Sequence, residues 1–126
     1  MVCVIEYVPN FSTSDTKVVE SIINEVRNTS NAFLLDYTFD DYYNRLVVSF
    51  VGDKKSVLEA ALKASFKAIE LIDMRKHKGQ HPRIGAVDVV PFIPIRNATM
   101  EECVQLAKEF GETLANKCNV PVYLYG

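Results

Sequence analysis

Strand-like segments of this chain carry apolar side chains on both faces, and no other feature constrains its fold as strongly. Phe33 and Leu35 alternate with Leu34, Leu46 and Val48 with Val47 and Val51, and Val122 and Leu124 with Tyr123 and Tyr125. A sheet with one wet face alternates cleanly between apolar and polar positions. These strands therefore predict a sheet covered twice, by the chain's own helices on one face and by a second protein layer on the other; the alternative is that the strand ends are simply apolar and the second face is wet. The chain's 126 residues suit one compact domain. Its 48% hydrophobic and 24% charged content is that of globular material.

The segments alternate in type. Val2 to Val8 is an apolar, β-branched run that Pro9-Asn10 is expected to end. Ser12-Thr-Ser-Asp15 reads as a capping box opening a helix with Val19, Ile22, Ile23 and Val26 on one face. Ala32–Phe39 and Arg45–Val51 read as two strands of a hairpin, with Asp40 to Asn44 as the turn. Gly52-Asp53 stops the second strand and caps a long helix with Leu58, Ala61, Leu62, Ser65, Ile69 and Ile72 aligned. Ala86–Val90 reads as a short strand closed by Pro91-Phe-Ile-Pro94. Thr99-Met-Glu-Glu102 is a second capping box, opening a helix with Cys103, Leu106, Ala107, Phe110 and Leu114 aligned. Val120–Tyr125 is a last strand. The order βαββαβαβ predicts an α+β two-layer sandwich, a mixed sheet with helices on one face.

Charge narrows the partners. Fourteen basic and sixteen acidic residues give −2, which argues against a nucleic-acid footprint over the whole chain. Residues 75 to 83 alone hold four Lys/Arg and no acid, leaving a balance of −6 elsewhere. No run approaches the ~18 apolar residues of a membrane span. The first residues lack the basic lead of a secretory signal, so a cytoplasmic protein is expected. Three widely spaced cysteines, Cys3, Cys103 and Cys118, form no CxxC or CxxH pair and predict buried free thiols.

The segment Asp73 to Asp88 holds both histidines, His77 and His81, with Arg75, Lys76, Lys78 and Arg83 around them. Imidazole accepts and returns a proton near neutral pH. Gly79 and Pro82 break helical spacing between the histidines, and there is no HExxH pattern, so no metal is expected. The guanidinium groups suit carboxylates, and Gly79 and Gly85 permit close approach of a ligand. A solvated basic loop with structural glycines accounts for the same composition. There is no GxxxxGK[ST], GxGxxG or GxSxG, so neither a phosphate loop nor a serine elbow is indicated.

Nine pieces stand in one order along the chain. They are Val8-Pro-Asn-Phe-Ser12, Leu34-Leu-Asp36, Asn44-Arg45, Phe50-Val-Gly52, Leu71-Ile-Asp-Met74, His81-Pro-Arg-Ile-Gly-Ala86 with Asp88, Pro91-Phe-Ile-Pro94 and Val120-Pro-Val-Tyr-Leu-Tyr-Gly126. Together, from about residue 4 onward, they resemble the N-terminal subdomain of the glutamate formiminotransferase (formimidoyltransferase) family. The resemblance implies one such domain over 1–126, without the family's second, C-terminal subdomain. It implies two facing sheets with folate between them, which agrees with the doubly apolar strands.

By resemblance the activity is transfer of a formimino group from N-formimino-L-glutamate to tetrahydrofolate, in histidine breakdown and one-carbon metabolism. Tetrahydrofolate is then a co-substrate and no metal is needed. His81 matches the family's catalytic histidine and would act as general base. Arg45, Arg75 and Arg83 would meet ligand carboxylates, and Asn10, Asp36 and Gly85 would line the site. Expected partners are folate and formiminoglutamate, with a homodimer or a C-terminal-subdomain partner supplying the second layer, and neither nucleic acid nor membrane. Three departures point the other way: Thr13-Ser14-Asp15 where the family commonly has Glu-Gly-Arg, Thr38 where it has a second acid, and Gln80 where Glu is usual. They favour the alternative, a non-catalytic folate-binding or protein-interaction module that pairs through its uncovered sheet face.

Overall fold

The computed structural model describes residues 3–72, 87–88 and 92–118. Its elements are β1 (Val4–Tyr7), β2 (Asn10–Phe11), α1 (Thr16–Arg27), β3 (Ala32–Asp40), β4 (Arg45–Gly52), α2 (Lys54–Leu71), β5 (Val87–Asp88), β6 (Ile93–Arg96) and α3 (Met100–Cys118). β4 pairs with β3 along one edge and with both β1 and β2 along the other; β6 and β5 lie beyond β1 and β2. The helices stack on one face, giving the α+β two-layer sandwich of the split β-α-β-β-α-β type with a further helix. Every described pairing is antiparallel. The strand expected over 120–125 lies outside the described residues.

β1 ends at Tyr7, before Pro9-Asn10 as the sequence suggests, but pairing with β4 resumes beyond the proline. Tyr7 faces Phe50 and Asn10 faces Val47, so β1 and β2 share a single register on β4. The Pro9 carbonyl accepts from the Val48 N–H at 3.1 Å. Only the reverse bond is missing, because proline has no N–H to give. Ile93–Arg96 is likewise a strand rather than a closing turn. Pro94 is tolerated there because β6 is the outermost described strand and its register with β1 slips beside Pro94.

Helix starts follow side-chain chemistry. Asp15, not Ser12, caps α1, its Oδ1 accepting from the N–H groups of Lys17 at 2.9 Å and Val18 at 3.4 Å. Asp53 accepts from the Ser56 N–H at 2.8 Å and caps α2. Thr99 and Glu102 form the expected reciprocal box on α3, at 3.1 and 2.9 Å. Glu102 also takes the Lys54 ammonium at 2.9 Å. That bond, with the Thr99 N–H, holds its carboxyl below the usual range.

The α1 stripe of Val19, Ile22, Ile23 and Val26 is buried as expected, and so are Cys103, Leu106, Phe110 and Leu114 of α3. On α2 the expected face is shifted. Its fully buried positions are Val57, Ala60, Ala61, Ala64, Ser65 and Ala68, while Leu58, Leu62 and Ile69 pack only partly. α2 lies over the sheet between α1 and α3. Small side chains let its backbone approach the strands. The deepest cluster is aromatic. Tyr7 stacks on Phe92 at 4.2 Å between ring centres, with Phe50 and Phe110 edge-on at 5.9 and 5.7 Å.

Gly52 ends β4 where the chain has no room. A Cβ there would sit 2.7 Å from the backbone carbonyl oxygen of Asn31, itself at φ 65°. Neither atom belongs to a flexible side chain, so Gly52→Ala is expected to destabilise the fold by about 1–3 kcal/mol. A urea denaturation midpoint equal to that of the parent chain would contradict this.

Candidate functional site

The uncovered face of the sheet can be read directly from the alternation. On β4 the helix-facing Leu46, Val48 and Phe50 are fully buried, whereas Arg45 is exposed and Val47, Ser49 and Val51 are half-buried on the opposite face. On the first strand Ile5, Tyr7 and Phe11 face the helices, and Val4, Glu6, Val8 and Asn10 face away. Phe33, opposite Val51, is 61% exposed, and Ile93, opposite Glu6, is 42% exposed. Among the described residues nothing lies over this face. The doubly apolar strands thus correspond to one face packed by helices and one left bare.

Three residues expected at the site come together there. Asn10 stands opposite Val47, which on its other side faces Thr38. Asp36 stands opposite Ser49, and Arg45 opposite Asp40. Arg45 lines an open hollow of about 640 Å³ with Thr38, Asp40 and Tyr43 at the hairpin end of the face. The turn that builds this end is fixed locally. Asp40 Oδ1 accepts from the Tyr42 N–H at 2.8 Å, and Asn44 takes a positive φ of 51°. The Asp36 carboxylate accepts from the Tyr37 N–H at 2.8 Å, just past a bulge between Leu34 and Asp36.

The remaining expected site residues, Arg75, His81, Arg83 and Gly85, lie outside the described residues, as does His77. The described chain resumes at Val87, opposite Phe11 and beside Asn10, so the His-Pro-Arg motif immediately precedes in sequence the strand that borders Asn10.

One pair on the bare face was not foreseen. Ser49 Oγ donates to Glu6 Oε2 at 2.8 Å, joining β4 to β1 across their half-buried outer surfaces. The available signal was an acid inside an otherwise apolar strand, Val2 to Val8.

The described cysteines offer no nucleophile on this face. Cys103 is buried under α3, and burial pushes its thiol up. Among the described residues no three His, Cys, Asp or Glu side chains converge as a metal site. No described helix is long and apolar enough to cross a membrane.

The described residues thus form a helix-backed sheet whose other face carries both polar side chains, Glu6, Asn10, Asp36 and Arg45, and apolar ones, Phe33, Val51 and Ile93. The chain belongs to the formiminotransferase domain family, N-terminal subdomain, whose model matches residues 4–126. It is 51% identical over 123 residues to the formimidoyltransferase-cyclodeaminase of Rattus norvegicus, covering 97% of this chain and 23% of that protein. It is 40% identical over 126 residues to the glutamate formimidoyltransferase of Streptococcus pyogenes serotype M1, covering 99% of this chain and 42% of that protein. A glutamate formimidoyltransferase of Thermoplasma acidophilum is also 40% identical, over 122 residues, with 96% and 40% covered. The chain therefore spans 23% to 42% of the length of these relatives. The relatives are formimidoyltransferases by name, which places the chain in a transferase family.

Proposed function

We propose that this chain supplies the first half of an enzyme that moves a formimino group from N-formimino-L-glutamate to N5 of tetrahydrofolate. What supports this is the bare face, which gathers Asn10, Asp36 and Arg45 on a surface with no cover among the described residues, in a chain matching the formiminotransferase family from residue 4 to 126. Folate lies against that face and a second β-layer closes over it, supplied by a C-terminal subdomain or by a second copy of this chain. Exposed apolar side chains on this face, Phe33 and Ile93 among them, favour such a cover.

In this reading His81 takes the proton from N5, freeing the nitrogen lone pair to attack the formimino carbon. The resulting imidazolium returns a proton to the glutamate amine as it leaves, so the histidine ends as it began. Arg45, Arg75 and Arg83 meet the carboxylates of glutamate and of the folate tail. Asn10, Asp36 and Gly85 line the pocket between them. Tetrahydrofolate is the co-substrate, and the chemistry is proton transfer and addition–elimination without a metal.

Titration of tetrahydrofolate into the chain, alone and mixed with a formiminotransferase C-terminal subdomain, tests the binding half of this proposal. Saturable heat in either arrangement is the expected result; none in both overturns it. Transfer itself is read from the absorbance of the cyclised folate product. Binding without any transfer would leave the chain a folate-holding module, the reading that Thr38 and Gln80 favour. Sedimentation of the isolated chain at tens of micromolar decides whether a second copy provides the cover.

A further inference from the structure

The geometry points to Glu6 as the group that holds the pterin ring, with Ser49 fixing its position. This rests on the folate reading above and adds to it a residue outside the motifs. Glu6 is half-buried at the middle of the bare face, flanked across the strands by Val51 on β4 and Ile93 on β6. Both neighbours are apolar. Among the described residues Ser49 is its one side-chain partner, at 2.8 Å through Oε2.

A carboxylate between aliphatic side chains is tolerated while water reaches it. Once a second layer covers the face, that water is lost, and an unpaired carboxylate costs several kcal/mol. The bond from Ser49 satisfies one oxygen and ties the group to β4. The other oxygen needs donors from whatever lies on the face. A reduced pterin carries a 2-amino group and an adjacent ring N–H, two parallel donors in one plane. That pair matches a carboxylate as a guanidinium does, with two near-parallel hydrogen bonds. The flanking residues suit the same ligand, since Val51, Ile93 and the exposed Phe33 give the flat ring an apolar bed. Arg45 lies at the far end of β4, six residues from Val51 and about 20 Å along the strand. An elongated ligand held by its ring at Glu6 and running along β4 would bring its benzoyl-glutamate end toward Arg45, which stands there beside Asp40 and Asp41.

The probes are tetrahydrofolate and p-aminobenzoyl-glutamate, which has the tail but no pterin. They are titrated into the chain together with a formiminotransferase C-terminal subdomain, as parent and as Glu6→Gln. The amide keeps the shape of Glu6 and can still accept from Ser49, but it loses the charge and one acceptor. Tetrahydrofolate is expected to bind Glu6→Gln about 10- to 100-fold more weakly, with p-aminobenzoyl-glutamate unchanged. Ser49→Ala should give the same pattern more mildly. A urea midpoint for each variant confirms that it folds. If the parent binds tetrahydrofolate and Glu6→Gln binds it equally well, the assignment of Glu6 fails while the folate reading stands. Equal losses for both probes would overturn it too, because the carboxylate would then be pairing with the covering layer rather than the ring. If the parent binds neither probe, it is the folate reading that falls.

Discussion

Replacing Phe110 with alanine is expected to lower the unfolding free energy by about 3–5 kcal/mol, a large share of what a domain of this size has. Phe110 is fully buried, its ring 5.7 Å from Tyr7 and 6.2 Å from Phe92. Tyr7 and Phe92 stack on each other, so one truncation opens a void beside two rings that cannot rotate to fill it. The same ring seats α3 against the layer formed by β1 and β6. Urea denaturation should show a lower midpoint with an unchanged slope. A loss below about 1 kcal/mol would mean that the neighbouring rings close over the gap, well outside the usual range for a buried phenylalanine.

His81→Ala is expected to reduce formimino transfer by about 10²–10⁴-fold in the chain assembled with a formiminotransferase C-terminal subdomain, while tetrahydrofolate still binds. The direction with pH follows from the role. A general base works when neutral, so the parent rate rises with pH as the imidazole loses its proton, and the variant's residual rate should lose that rise. A variant that keeps both the parent's rate and its pH profile would remove His81 from the mechanism and leave the binding proposals untouched.

How far the sequence carried these conclusions depended on the kind of signal. The α1 stripe and the Thr99–Glu102 box are short-range patterns set by helical spacing and backbone donors, and both are present as read. Along α2 and at its C-cap the expected Ala61, Ser65 and Ile72 are buried, but Leu58, Leu62 and Ile69 are only partly so; large apolar residues dominate a periodicity count. Between two helices and a sheet the closest contact goes to the smallest side chains, Ala60, Ala61, Ala64 and Ala68. Pro9 looked like a terminator because it removes a donor, yet one absent bond does not undo a register secured on both sides by Tyr7–Phe50 and Asn10–Val47. At the site, Asn10, Asp36 and Arg45 were reached through motifs, and their common face follows from strand parity. Glu6 and Ser49 were not, because their meeting depends on a pairing 43 residues apart in the chain.

The placement of α2 has a mechanical side as well. Its bulkier residues, Leu58, Leu62, Phe66 and Ile69, still pack partly against the core. Ion pairs tie the helix to both flanking helices, Lys54 to Glu102 of α3 at 2.9 Å and Lys67 to Glu25 of α1 at 3.9 Å. Eighteen residues make a rod about 27 Å long, and its far end leads in sequence into the stretch bearing the two imidazoles.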